Sequence, residues 1–270
     1  MKKYDDIFLE LVDDFSKHSS VEAILLCGSR VGDTFDEDSD YDLYIYTTED
    51  LPLDFRENIA NKYFSHVELN NSISKKEDQG IFKKINVQID IIYREIKQIE
   101  KMLEDITIRH HALTGYTTCY WENLVKSNIL YDKNGELSNL KKKFDVDYPK
   151  ELRKNIIAKN FPFLNKIAPV YASEIKKALK RNDLIRVNKK INEFFESYFD
   201  IIFALNMKLH TGEKNLLKIT TERLKHLPRN MESDIRELFE GLYNEDFDTV
   251  DKLNEIIHSL RELLKEMNLI

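Results

Sequence analysis

The chain has 270 residues, 42% of them hydrophobic and 33% charged, with a net charge of −7, seven glycines and five prolines. That composition excludes a disordered chain and indicates a helix-rich globular protein of one large or two ordinary domains. No apolar run reaches the length needed to span a bilayer, and the acidic charge balance speaks against grasping long nucleic acid.

In chain order, Tyr4, Ile7, Phe8, Leu11, Val12 and Phe15 recur at helical spacing and predict an amphipathic helix. The apolar run Val21 to Cys27 predicts a buried strand that stops at Gly28-Ser29. A second strand is expected from Asp40 to Thr47, and Pro52 opens a further helix carrying Phe55, Ile59 and Tyr63. His66 to Asn70 alternates as a short strand, Ile85 to Tyr93 is a longer one, and Glu95 to Leu103 returns to helical spacing. Beyond Lys141-Lys142-Lys143 strand patterns disappear. Pro149 suits a first helical position. Ile191 to Leu209 is apolar too broadly for a surface helix and is expected to run through a bundle core until Thr211-Gly212 ends it. The last helix spans about Thr249 to Met267. The expected fold is α+β: residues 1–140 form a mixed sheet with flanking helices, and residues 141–270 form an all-helical bundle.

The residues with the most chemistry lie between the first two strands. Asp40 and Asp42 are spaced i, i+2, which on a strand puts both carboxylates on one face, roughly 6.5 to 7 Å apart along the chain. Two acids on one face repel unless a cation lies between them, and hard divalent ions share oxygen ligands with substrate phosphates. Gly28 permits close backbone approach to a phosphate, and Ser29 supplies a hydroxyl donor. Together the turn and the acidic strand point to phosphoryl or nucleotidyl transfer.

Cys27-Gly28-Ser29, a ten-residue spacer and Asp40-Tyr41-Asp42-Leu43 resemble the signature of the DNA polymerase β-like nucleotidyltransferases. The motif covers about seventy residues. A looser similarity extends to the bacterial two-domain branch, in which antibiotic-modifying members append a helical domain; Asn128 to Glu136 resembles their exit from the catalytic domain. The resemblance implies a third acid on a neighbouring strand, for which Asp90, between Ile89 and Ile91, is preferred over Glu68. It implies that Asp40, Asp42 and Asp90 hold two Mg²⁺ ions, with Asp90 nearest the acceptor hydroxyl. Gly28, Ser29 and Arg30 would contact a nucleoside triphosphate, although Arg30 is equally well read as a surface residue. The implied reaction moves an NMP, with AMP from ATP preferred, to a small-molecule or macromolecular hydroxyl acceptor. An aminoglycoside or lincosamide antibiotic is the nearest architectural analogy. Rival readings are a toxin–antitoxin-type protein or RNA nucleotidyltransferase, and a catalytically silent antitoxin or binding module.

Other residues carry weaker signals. Asp36, Glu37 and Asp38 in the motif loop are read as solvated. His110 and His111 point about 100° apart on a helix and do not suit a shared ion. Glu213 and Lys214, in His210 to Lys214, are candidates for acceptor binding against the alternative of a solvated helix cap. Tyr120 and Trp121 could stack on a base or form a buried aromatic pair. Residues 140–190 hold 15 Lys+Arg against 5 Asp+Glu, a block read chiefly as solvated helix faces. Two cysteines without metal or redox spacing and the absence of a signal-peptide core make a cytoplasmic location the default expectation.

Overall fold

The computed structural model describes residues 4–31, 39–70, 77–165, 170–244 and 248–270. The chain divides into two compact units, one built from residues 1–104 and 123–146, the other from residues 105–122 and 147–270.

The first unit is a six-stranded sheet with helices. It comprises α1 (Asp6–Ser16), β1 (Val21–Cys27), β2 (Tyr41–Thr47), α2 (Leu53–Tyr63), β3 (Phe64–Glu68), β4 (Glu77–Phe82), β5 (Gln88–Arg94), α3 (Ile96–Thr107), the end of α4 (Cys119–Lys126), β6 (Asn128–Asp132) and α5 (Glu136–Phe144). The strand order is β3-β4-β5-β2-β1-β6. Only the β2–β5 pair is parallel; the other neighbours are antiparallel.

Alternation along the central strands decides what each sheet face does. Leu43 and Ile45 of β2, Ile89 and Ile91 of β5, and Ile24 and Leu26 of β1 pack with Phe8, Leu11 and Phe15 of α1. Each such fully buried side chain contributes roughly 1.5–3 kcal/mol relative to exposure. The intervening residues of β2 and β5 face the other way, and among them are Asp42 and Asp90. One buried core thereby fixes the register on which two acids depend.

β4 carries no strand signature: Glu77-Asp78-Gln79-Gly80 is polar and contains glycine. Pairing on both sides holds it in the sheet, and its polar groups are satisfied there. Asp78, 2% exposed, accepts from Arg56 Nη1 at 2.8 Å, the Asn70 amide at 2.9 Å and the Tyr93 hydroxyl at 2.8 Å. A Cβ on Gly80 would come within 2.7 Å of the Phe64 ring, so the glycine makes room for that aromatic.

The second unit contains α6 (Lys150–Asn165), α7 (Val170–Lys180), α8 (Leu184–Leu205), α9 (Leu216–Arg223), α10 (Met231–Gly241) and α11 (Thr249–Glu266). α8 is the hub: Val187, Ile191, Phe194, Tyr198, Ile201 and Ile202 are buried in a core shared with α6, α7, α10 and α11. The helix ends earlier than its apolar pattern implies. Lys208 N donates to Phe203 O at 3.0 Å and Met207 N to Ala204 O at 2.9 Å, with Met207 at φ 53. That is a Schellman closure with methionine in the left-handed position where glycine is usual. The Asn206 side chain also exchanges hydrogen bonds of 2.8 Å with the backbone of His226.

Residues 105–122 join the helical unit through a buried polar network. Asp200, 1% exposed, accepts from the Thr117 amide at 3.0 Å, the Thr117 hydroxyl at 2.7 Å and Asn160 Nδ2 at 3.2 Å. Asn160 Oδ1 in turn accepts from the Gly115 amide at 3.1 Å. Burial pushes the Asp200 carboxyl up to about 7, against the lowering effect of its Thr117 and Asn160 donors. Eleven α-helices form among the described residues, and none of them is long and apolar enough to cross a membrane.

Candidate active site

β2 and β5 run parallel with Asp42 directly opposite Asp90. Residues facing each other on adjacent strands point to the same side of the sheet, so register alone brings these carboxylates together. Asp40 lies two residues before Asp42, on the same side. One carboxylate oxygen from each of Asp40, Asp42 and Asp90 lies within 4.8 Å of the others, and all three side chains are half-buried. At an effective dielectric near 20, two unit charges at that distance repel by about 3.5 kcal/mol, an upper figure for groups that water still screens. Three carboxylates so placed favour a cation among them, and their all-oxygen donor set suits a hard divalent ion.

Gly28 completes the cluster. It follows Cys27, the β1 residue opposite Asp42, and takes φ 72, a region that costs other residues roughly 1–2 kcal/mol. A Cβ built there would overlap Asp42 Oδ2 and lie 2.8 Å from Asp42 Cγ. The glycine is therefore required twice, by the backbone and by the carboxylate it would otherwise displace. Ser29 begins a single 3-10 turn, Ser29–Val31, with Val31 N bonded to Gly28 O at 3.3 Å. Gln88, two residues before Asp90 on the same strand face, donates its amide to Asp90 Oδ1 at 3.2 Å and orients that acid.

Arg30 is neither a surface residue nor solvent-facing. It is 8% exposed, its Nε donates to the Ser39 carbonyl at 2.8 Å, and its guanidinium carbon lies 4.0 Å from the Tyr41 ring centroid. Tyr41 is itself stacked on Phe8 with centroids 4.1 Å apart, and its hydroxyl donates to Asp5 at 2.7 Å. Burial, with the Asp5 bond second, pushes the Tyr41 hydroxyl up to about 12. Arg30 thus ties both ends of the motif loop to the α1 core. Asp36, Glu37 and Asp38 lie outside the described residues.

Glu68 is exposed on β3. It pairs with Gln79, which pairs with Asp90, so two strand spacings, roughly 10 Å, separate it from Asp90. Among the described residues, the only group of three potential ligands is Asp40, Asp42 and Asp90; His110 and His111 join no such group.

In the helical unit, His210 is wholly buried between Phe203 and Tyr116, with ring centroids at 4.6 and 5.0 Å. Burial drives it down to about 4, so it is neutral at pH 7. Its backbone amide donates to Thr118 at 2.8 Å, and its Nδ1 accepts from the Gly212 amide at 3.1 Å. Glu213 and Lys214 beyond it are exposed. Trp121 is 1% exposed and lies against Tyr148 at 5.9 Å rather than against Tyr120, which is half-buried. Within the basic block, Arg186 pairs with Glu174 at 2.8 Å and Lys190 with Glu193 at 2.7 Å; both are ion pairs between helical side chains. Sequence periodicity gave no sign of Gln88 as an orienting residue or of Arg30 as a buried anchor, because both roles depend on contacts across strands.

Two family models match overlapping parts of the chain. Residues 10–136 match the family described as polymerase beta, nucleotidyltransferase, and residues 119–231 match a domain of unknown function, DUF4037. No curated protein matches the chain. Among solved structures, a nucleotidyltransferase-like protein from Exiguobacterium sibiricum 255-15 is 11% identical, with 95% of this chain and 73% of that chain covered and a TM-score of 0.42.

Proposed function

We propose, from the match of residues 10–136 to the polymerase β nucleotidyltransferase family, that the chain is a Mg²⁺-dependent transferase moving an NMP to a hydroxyl acceptor. AMP from ATP is the preferred donor reaction. The observation that carries this reading is the convergence of Asp40, Asp42 and Asp90 within 4.8 Å, beside a glycine with no room for a side chain.

Asp40, Asp42 and Asp90 would hold the metal. When bound, Mg²⁺ neutralises phosphate charge and stabilises the attacking and leaving oxygens of an in-line displacement. The acceptor oxygen forms a bond to the α-phosphorus as the bond to the β-phosphate oxygen breaks, and pyrophosphate leaves with that electron pair. Asp90, oriented by Gln88, takes the acceptor proton. Gly28 admits the triphosphate against the backbone and Ser29 donates its hydroxyl to a phosphate oxygen. Arg30 acts indirectly, by holding the loop that follows.

The helical unit would bind the acceptor, with Glu213 and Lys214 as contacts. Fold alone does not choose between an antibiotic-like small molecule and a macromolecule. The intact acid set favours activity over a silent binding module. The test is incubation with Mg²⁺, each NTP and a panel of hydroxyl acceptors, following pyrophosphate release and product mass. A product heavier by one NMP supports the reading. Phosphate release without NMP transfer would assign a different reaction to the site.

A further inference from the structure

The helical unit contains a cavity of about 560 Å³, a size typical of small-molecule sites. Its walls are aromatic: Tyr116, Phe195, Phe199 and Phe239 line it, with Glu196 and Glu213 among them. Phe239 is 52% exposed yet lies nearly parallel to Phe195, centroids 5.5 Å apart, so an apolar surface is presented rather than folded away.

The charges on this cavity are unbalanced. Neither Glu196 nor Glu213 forms an ion pair among the described residues. Both acids lie beside the Tyr116 phenol, whose pKa is raised by burial first and then by Glu213 and Glu196. The Glu196 carboxyl is raised by burial and then by its neighbours Glu193 and Glu213. The nearby cations are already engaged. Arg236 on the cavity wall bonds to Glu232 at 2.8 Å, and Lys190 is held by Glu193 at 2.7 Å and Glu174 at 3.9 Å. Glu240 adds a further acid to the rim.

We infer that this cavity binds an organic cation: an amine or quaternary ammonium on an apolar or aromatic body, its charge set between Glu196 and Glu213 and its body against the phenylalanines. Carboxylates flanked by ring faces attract such a group twice, through opposite charge and through the ring quadrupoles. A neutral ligand of the same shape gains only the apolar contact, and an anion meets uncompensated acids. This inference concerns binding within the helical unit and stands whether or not nucleotidyl transfer occurs.

The experiment is calorimetric titration of the full chain, without nucleotide, using three probes of similar shape: 2-phenylethylammonium, 2-phenylethanol and 3-phenylpropanoate. The ammonium should bind saturably and at least tenfold more tightly than the alcohol, and the propanoate should not bind. Glu196→Gln and Glu213→Gln should each narrow the preference for ammonium over alcohol, whereas Phe239→Ala should weaken both probes alike. Glu213 is exposed, so its variant retains the fold, and thermal melts verify each protein used. Absence of ammonium binding, equal binding of alcohol and ammonium, or a preference unchanged in both glutamine variants would each overturn the inference.

Discussion

Asp42 and Asp90 face each other in register across two parallel strands at the centre of the sheet, and this one relationship brings their carboxylates together on one sheet face. The apolar residues beside them, Leu43 and Ile91, are buried in the opposite face. A slip of one residue would bury the acids and expose the core, so the cost of losing the hydrophobic register protects the carboxylate geometry.

Gly28→Ala should uncouple fold from function. The new methyl meets the Asp42 carboxylate in a left-handed backbone position, so a loss of about 1–2 kcal/mol from the backbone is expected, with further strain if the acid cannot rotate. The sheet core is untouched. Thermal melts should show a drop of several degrees and a Mg²⁺·ATP stabilisation that is largely gone. A variant with the wild-type ligand-induced shift would show that Asp42 need not occupy its observed position.

Asp90→Asn and Glu68→Gln separate the two candidates for the third acid. Asp90 shares the cluster, whereas Glu68 stands two strands away, so turnover should fall at least a hundredfold in the first variant and change less than twofold in the second. Steady-state pyrophosphate release measures both. A large loss in the Glu68 variant would move the acceptor side of the reaction toward the sheet edge.

Arg30→Lys distinguishes a phosphate contact from a loop anchor. Lysine retains the charge but cannot reproduce a guanidinium stacked on Tyr41 with Nε directed at Ser39. An anchor role predicts that lysine and alanine variants raise the KM for NTP similarly. Recovery of wild-type KM by lysine alone would instead assign Arg30 to the phosphates.

The strands β1, β2 and β5 and the helices α1, α8 and α11 were legible because each buries one face with a clear period. β4 was not, since Asp78 and Gly80 make sense only beside Arg56, Tyr93 and Phe64. The end of α8 was hidden for a similar reason: Met207 occupies a left-handed cap that Gly212 advertises but does not fill. Asp40 and Asp42 were readable from their i, i+2 spacing and the preceding Gly28-Ser29, whereas Asp90 entered only through the family resemblance. The burial of Arg30 was not, because Ser39 and Tyr41 reach it only after the strands have paired.

Asp200 and His210 give the helical unit opposing pH responses. The Asp200 carboxyl is raised in the folded state to about 7, so the folded chain binds its proton more tightly than the unfolded one. Its stabilising contribution is present at acid pH and is lost as pH rises from about 4 to 7. His210 is lowered to about 4, so its contribution grows with pH up to about 6.5. Asp200→Asn should therefore leave only the rising component. Denaturant melts should show wild-type minus variant stability falling by on the order of 2–4 kcal/mol between pH 4.5 and 7.5. A pH-independent difference would mean that Asp200 stays ionised in the fold.

The central claim is that three carboxylates and a glycine turn form one metal and triphosphate site, and calorimetric titration tests it without needing the acceptor. A non-hydrolysable analogue of each NTP is titrated into wild type and Asp42→Asn, with Mg²⁺ and with EDTA. At least one analogue should bind the wild type only with Mg²⁺, with affinity lost by tenfold or more in the variant while its fold remains intact. Nucleotide binding that is indifferent to Mg²⁺, or equal in the two proteins, would contradict the account.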